Sequence, residues 1–145
     1  ALALSLPHER SLESSEIVDA ATLLANIAET GVWNTRVASL EALASLFAHF
    51  MLPAYAEIRS NALQAADMPK VLRAVRVCAA EGKYVAVRTA AFDALDAVHK
   101  AVKGTVGHSG SVELCREILG LLLQDPVPSI ADRAKDTKPQ WANTL

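Results

Sequence analysis

Residues 72–98 read LRAVRVCAAEGKYVAVRTAAFDALDAV, two apolar segments separated by a short polar turn. In the second segment apolar residues recur at intervals of three and four, which is typical of one face of an α-helix packed against a core. Arg88, Asp93 and Asp96 lie off that face. The stretch therefore predicts a helical hairpin, two helices joined by a tight turn near Gly82.

The same hairpin pattern occurs twice more in the chain. Residues 23–47, LLANIAETGVWNTRVASLEALASLF, align with the first stretch so that Gly31 matches Gly82. A weaker copy, ELCREILGLLLQDPVPSIADR, spans residues 113–133 and has Asp125 at the position of that glycine. One such hairpin cannot bury its own apolar face, so we expect the copies to stack on one another.

The turns contain the residues that the repeat makes equivalent. Trp33 falls near Tyr84, and Arg36 matches Arg88 after one gap. We expect the two matched glycines to adopt the left-handed conformation that often ends a helix. The two aromatic residues are expected to pack between successive repeats, with the anchoring of a partner as the alternative.

The whole pattern predicts an all-α fold with seven helices, at residues 15–29, 34–51, 53–65, 69–81, 86–103, 111–124 and 128–137. They form an array over residues 15–137, in which the hairpins are 15–51, 69–103 and 111–137 and the extra helix is 53–65. Residues 1–14 are expected to be an N-terminal extension and residues 138–145 a C-terminal tail. Neither end of the array is visibly capped and the chain begins without Met, so we expect it to be a piece of a longer protein.

Composition excludes several classes of protein. Of the 145 residues, 52% are hydrophobic and 21% are charged, which is too apolar for a disordered chain. The longest dense apolar run, residues 118–123, is far shorter than the ~20 residues that cross a bilayer. Cys78 and Cys115 are too few for a disulfide framework and lack the spacing of a zinc site, which favours a reducing intracellular compartment and a place for both in the core.

Charge is uneven along the chain, with a balance of −5 over residues 1–67, +4 over residues 68–104 and −1 over the rest. The basic set, which we expect to form an exposed stripe and a candidate interaction surface, is Lys70, Arg73, Arg76, Lys83, Lys100 and Lys103. In one interpretation these exposed charges only keep the protein soluble. They can also bind an acidic protein partner, or contact the DNA backbone without regard to sequence.

The chain lacks a constellation of residues that would support catalysis. The histidines His8, His49, His99 and His108 are scattered, and His8-Glu9 has no second histidine to complete a zinc-protease helix. We expect His49 and His99 on helix surfaces. The sequence therefore predicts no catalytic residue, no metal, no cofactor and no small-molecule substrate.

The repeat resembles the HEAT family, helical hairpins of about 40 residues that build large intracellular scaffolds. The resemblance rests on Val87-Arg88 at the start of the second helix of a hairpin and on the Asp125-Pro126 turn, with Arg36 as a partial match. It implies an α-solenoid of about three HEAT-type hairpins in a right-handed superhelical stack. It also implies a hydrogen-bonded arginine ladder between neighbouring repeats.

The third copy departs from the HEAT pattern. Ala131 stands where the arginine of the ladder is expected, and Arg133 follows two positions later. The resemblance therefore implies a ladder that includes Arg36, Arg88 and Asp125 but does not continue through the third hairpin.

A closer resemblance covers residues 69–136, which are similar to the C-terminal HEAT region of the aminopeptidase-like, TATA-binding-protein-associated subunits of the general transcription factor TFIID. It rests on Gly82, Tyr84, Val87-Arg88, Ala90-Ala91, Asp93-Ala94-Leu95 and Asp125-Pro126-Val127-Pro128. The chain departs from those subunits after Asp136, where it reads TKPQWANTL instead of ending in two prolines and a phenylalanine.

This resemblance implies a nuclear, non-catalytic scaffold that binds other protein subunits and helps TFIID to engage core-promoter DNA during transcription initiation. One alternative is the helical C-terminal accessory domain of a zinc aminopeptidase. Another is a HEAT scaffold such as a proteasome adaptor or a transport receptor, which would place the protein in the cytoplasm. In the aminopeptidase alternative the chemistry lies outside the present residues.

Overall fold

The computed structural model describes residues 14–105 and 107–142. Within them the chain forms seven α-helices: α1 Ser14–Thr30, α2 Trp33–Phe50, α3 Ala56–Ala65, α4 Met68–Ala79, α5 Val85–Lys103, α6 Ser109–Leu123 and α7 Pro128–Ala142. A 3-10 turn at Pro53–Tyr55 precedes α3, so the extra helix predicted from residue 53 is α-helical only from Ala56. The prediction of an all-α fold is confirmed for the described residues. The proposed N-terminal extension lies outside them, apart from Ser14.

The helices pair along the chain into three hairpins. We call α1/α2 the first hairpin, α4/α5 the second and α6/α7 the third. The first helices α1, α4 and α6 pack side by side in that order, while α2 packs on α5 and α3 rests on α1. The three inter-helix turns therefore follow one another along one edge of the molecule. We call this edge the turn edge and include in it the flanking helix ends, so that it comprises residues 29–36, 81–88 and 124–128.

Local sequence explains where two of the helices begin. Asp67 caps α4, because its side chain accepts a hydrogen bond from the backbone N–H of Lys70 at 3.2 Å. Pro69 follows in the first turn, and Pro128 is the first residue of α7. Proline costs no hydrogen bond in a first turn, so both residues fit the start of a helix.

The two cysteines are small core residues, as predicted. Cys78 on α4 is fully buried, and its Sγ donates a hydrogen bond to the carbonyl of Ala28 on α1 at 3.2 Å. Burial raises its pKa to about 11 and that of the equally buried Cys115 on α6 to about 12. Both thiols are therefore protonated at neutral pH.

The C-terminal end of the array differs from the prediction. α7 continues to Ala142, so the prediction of a tail from residue 138 is wrong for residues 138–142. Pro139 lies inside this helix although it has no N–H to donate. Trp141 explains the continuation, because it is buried and stacks on His99 of α5 with ring centroids 3.8 Å apart. The prediction that His99 lies on a helix surface is also wrong.

The glycines of the first two turns do not adopt the predicted left-handed conformation. Among the described residues only Gly107 has a positive φ, of 94°. At Gly31 a Cβ atom would lie 2.7 Å from the carbonyl oxygen of Ile27, whereas at Gly82 it would meet nothing within 4 Å. The close backbone thus explains why a residue without a side chain stands at position 31. At position 82 a side chain would meet no neighbouring atom. Within the described ranges no helix is long and apolar enough to cross a bilayer.

Candidate interaction surface at the turn edge

Arg36 joins the first turn to the second. From α2 its Nε donates to the carbonyl of Gly31 at 2.8 Å and its Nη2 to the carbonyl of Glu29 at 2.9 Å. Its Nη1 reaches the carboxylate of Glu81, in the next turn, at 3.3 Å. The pair is partly buried, with 18% of one side chain and 25% of the other exposed.

Arg88 repeats this arrangement one hairpin further on. Its Nη1 donates to the carbonyl of Glu81 at 2.9 Å. Its Nε and Nη2 donate to the two carboxylate oxygens of Asp125, in the third turn, at 2.6 and 3.3 Å. These two side chains are almost completely buried, with 7% and 3% exposed. Each arginine therefore bonds a carbonyl seven residues back and the carboxylate of the following turn.

Glu81 is a partner that the alignment of the three hairpin sequences does not identify. That alignment places Asp125 opposite Gly82, whereas the contacts make Asp125 the counterpart of Glu81. An acidic residue seven positions before the arginine, Glu29 in the first hairpin and Glu81 in the second, is the signal that could have identified the partner. We call Arg36, Glu81, Arg88 and Asp125 the arginine ladder.

The carboxylates of the turn edge are fully engaged. Glu29 accepts hydrogen bonds at both oxygens from Arg73, at 3.0 and 3.3 Å. Glu81 accepts the backbone N–H of Lys83 at one oxygen, at 2.8 Å, and the first arginine of the ladder at the other. Asp125 also accepts the backbone N–H of its own turn at residue 127. No oxygen of these three carboxylates is left without a donor.

Beside the ladder lies an exposed aromatic pair. The rings of Trp33 and Tyr84 stack with centroids 5.1 Å apart and planes inclined by 20°, so the predicted packing between successive hairpins is observed. Nevertheless 44% of Trp33 is exposed, as are 68% of Val32 and 43% of Val85. The Nζ of Lys83 lies 5.3 Å from the centroid of the Tyr84 ring, within cation–π distance. We call these five residues the turn patch.

The basic set does not form one continuous stripe. Its first three members lie on α4, and Lys70 is half-buried. Lys83 lies at the turn edge, whereas Lys100 and Lys103 lie at the far end of α5. The set is thus divided among three parts of the surface.

Several members of the basic set face carboxylates, on a neighbouring helix or on their own. Arg73 is held by Glu29 of α1, as described above. Arg76 lies 3.7 Å from Glu117 of α6, and Lys100 lies 3.8 Å from Asp96 one turn earlier on α5. In the described part of the chain no carboxylate lies within ion-pair distance of Lys83.

Two of the grooves on the described surface lie away from the turn edge. An apolar groove of about 400 Å³ between α6 and α7 is lined by Leu119, Leu123 and Trp141 among others. A second groove, of about 280 Å³, lies at the start of α6 and is lined by Lys103 and His108 among others. Over residues 14–105 and 107–142 no three His, Cys, Asp or Glu side chains are grouped to hold a metal ion. His8 lies outside those residues.

Comparison of the chain with protein-family models, with curated proteins and with solved structures gave no match.

Proposed function

We propose that this chain is a HEAT-type α-solenoid segment of three hairpins and that it acts as a non-catalytic protein-interaction scaffold within a larger assembly. The observation that carries the proposal is the arginine ladder. Arg36 and Arg88 make equivalent bonds, each to a carbonyl of its own turn and to a carboxylate of the next. Such equivalence is expected where hairpins stack by a repeated operation, so that each contacts only its neighbours.

The mechanism of such a scaffold is geometric. Ion pairs and hydrogen bonds hold successive turns in fixed relation, which keeps the side chains of the turn edge in place before a partner arrives. A surface that is already ordered loses less conformational entropy on binding than a flexible one. We therefore assign partner binding to the turn edge, where exposed apolar side chains lie next to the ladder.

A protein is a better partner for this surface than DNA. Non-specific binding to DNA requires several cations that are free to replace the counterions of the phosphates. Arg73, Arg76 and Lys100 already face carboxylates of the chain itself. This pairing favours other protein subunits over the DNA backbone as the main contact.

The resemblance of residues 69–136 makes TFIID the first assembly to test, and this carries with it a nuclear location. Crosslinking mass spectrometry on the native protein from cell extract is the direct experiment, with Lys70, Lys83, Lys100 and Lys103 as reporters. Lys135 and Lys138, at the far end of the array on α7, provide the internal control for background reactivity.

We expect Lys83 to form crosslinks to other TFIID subunits more often than the two control lysines do. Crosslinks to proteasomal or transport proteins would contradict the TFIID assignment and retain the scaffold. Crosslinks to a zinc-peptidase domain would favour an accessory domain of an enzyme. If no lysine of the chain formed crosslinks to another protein or domain, the scaffold function itself would be wrong.

A further inference from the structure

At the described turn edge the negatively charged groups all have hydrogen-bond donors, whereas one positively charged group, Lys83, has no carboxylate partner. The three carboxylates of the turns have donors at both oxygens. The ladder arginines bind backbone carbonyls and two of those carboxylates, Glu81 and Asp125. The third, Glu29, is bound by Arg73. Lys83 is the exposed cation of the described turn edge that faces an aromatic ring and no carboxylate. Among the described residues, a partner that approaches this edge meets one positive charge without a carboxylate partner and no negative charge without a donor.

The apolar part of the turn patch surrounds this charge. Trp33 and Tyr84 form a stacked aromatic surface that spans the first and second hairpins, with Val32 and Val85 exposed beside them. Tryptophan and tyrosine, together with arginine, are the residue types that most often dominate binding energy at protein interfaces. The two rings hold each other in place by stacking, and the Arg36–Glu81 pair of the ladder joins the two turns that contain them.

We propose that the turn patch binds an acidic peptide segment of a partner protein in which large aliphatic or aromatic side chains alternate with carboxylates. The apolar side chains pack on the Trp33–Tyr84 stack, and a carboxylate pairs with Lys83. This inference rests on the proposed scaffold function and names the class of partner for one of its surfaces.

The alternatives fit the same surface less well. A basic segment would find no free carboxylate among the described residues of the turn edge and would place its charge beside Lys83. A nucleic acid backbone would find a single free cation at this edge, whereas binding of that kind needs several. An apolar segment without charge would leave the Lys83 ammonium unpaired at the border of a desolvated contact, which is unfavourable.

The test is a titration of the full chain into a fluorescein-labelled peptide that alternates aspartate with leucine and phenylalanine, followed by fluorescence anisotropy. We expect Lys83→Glu to weaken the binding of this peptide by about tenfold or more, and Trp33→Ala to weaken it at least as much. Lys138→Glu is the matched control, since Lys138 is an exposed lysine on α7 without an ion-pair partner in the described chain. We expect it to change the affinity by less than about twofold.

Two outcomes would overturn the proposal. One is binding that is unaffected by both turn-patch variants. The other is equal binding of a matched peptide in which lysine replaces aspartate. Circular dichroism checks that each variant is folded, and Val85→Asp replaces Trp33→Ala if the latter unfolds. Because crosslinking of the native protein reports any partner on any face, intact crosslinks with failed peptide binding would reject the turn patch and leave the scaffold function standing.

Discussion

The junction between the first and second hairpins and that between the second and third contain the same types of contact at different depths. Each has an arginine that bonds the carboxylate of the following turn. At the first junction the Arg36–Glu81 pair is partly exposed and bonded at one oxygen, whereas at the second the Arg88–Asp125 pair is bidentate and almost fully buried.

The aromatic contacts follow the same division. Trp33 and Tyr84 stack across the first junction where solvent reaches them. His99 and Trp141 stack across the second, and both are buried. The same two kinds of contact, an ion pair and an aromatic stack, are thus partly exposed at the first junction and buried at the second.

The largest expected effect tests the buried pair. Arg88→Ala leaves the carboxylate of Asp125 buried without its partner, so we expect a loss of about 3–5 kcal/mol in the free energy of unfolding. Urea denaturation measures it. Replacing both partners, with Arg88→Met and Asp125→Ala together, is the control and is expected to recover much of the loss. A loss below about 1 kcal/mol in the single variant would remove the distinction between the junctions.

The second prediction concerns the acid stability of the buried stack. Burial and the positive charge of Lys103 lower the pKa of His99 from 6.5 to about 4. The unfolded chain therefore binds a proton more readily than the folded one between these values. The contribution of neutral His99 to the free energy of unfolding is therefore fully present above pH 6.5. It is lost as the pH falls towards 4, by about 3 kcal/mol in total.

His99→Phe is the control for this effect, because it retains an aromatic ring against Trp141 and has no proton to bind. Carboxylates titrate in the same range in both proteins, so the difference between the two pH profiles isolates the histidine. Identical slopes of unfolding free energy between pH 6.5 and 4 would show that His99 is protonated as easily in the folded state as in the unfolded one.

A third pair of variants compares the first two turns. Gly31→Ala brings a methyl group against the Ile27 carbonyl, and we expect it to lower the free energy of unfolding by about 1–3 kcal/mol. Gly82→Ala meets no atom and restricts the unfolded chain, so it is expected to be neutral or to stabilise by up to about 1 kcal/mol. Thermal unfolding of both variants measures the difference. Equal effects would mean that close approach does not explain Gly31.

The smallest effect is expected at the exposed pair. Glu81→Gln retains the shape of the side chain but removes its charge beside Arg36, and we expect a loss of about 0.5–1 kcal/mol. The loss should diminish in high salt, since the pair is partly solvated. Denaturation at low and high salt measures it, with Glu113→Gln, in an exposed pair with Arg116 on α6, as the control. A loss as large as that of Arg88→Ala would contradict the comparison.

The sequence predicts the helices well because their signals are local. Apolar residues at intervals of three and four, together with Pro69 and Pro128 in first turns, fix most of the boundaries to within a few residues. The alignment of the hairpins also predicts that Trp33 and Tyr84 meet, because equivalent positions of stacked repeats lie side by side.

The end of α7 and the pairing of the basic residues could not be predicted, because they depend on contacts between residues far apart in the sequence. Pro139 is a local signal for the end of a helix, but burial of Trp141 against His99, 42 positions earlier, overrides it. Similarly, a count of charges cannot show that Arg73 is neutralised by Glu29, 44 positions away. For this reason the basic stripe expected from the sequence is divided in the structure, and Lys83 alone remains beside the aromatic pair.

The buried thiols make the motions of the two junctions separately measurable. Cys78 bonds across the first junction to Ala28, and Cys115 lies on α6, which packs on α4 and α5 at the second. A protonated, inaccessible thiol does not react with an alkylating reagent until its surroundings open. The alkylation rate of each cysteine, followed by mass spectrometry of the two peptides, therefore measures how often the surroundings of that thiol open. A single sample reports the opening rate of the first junction through Cys78 and of the second through Cys115.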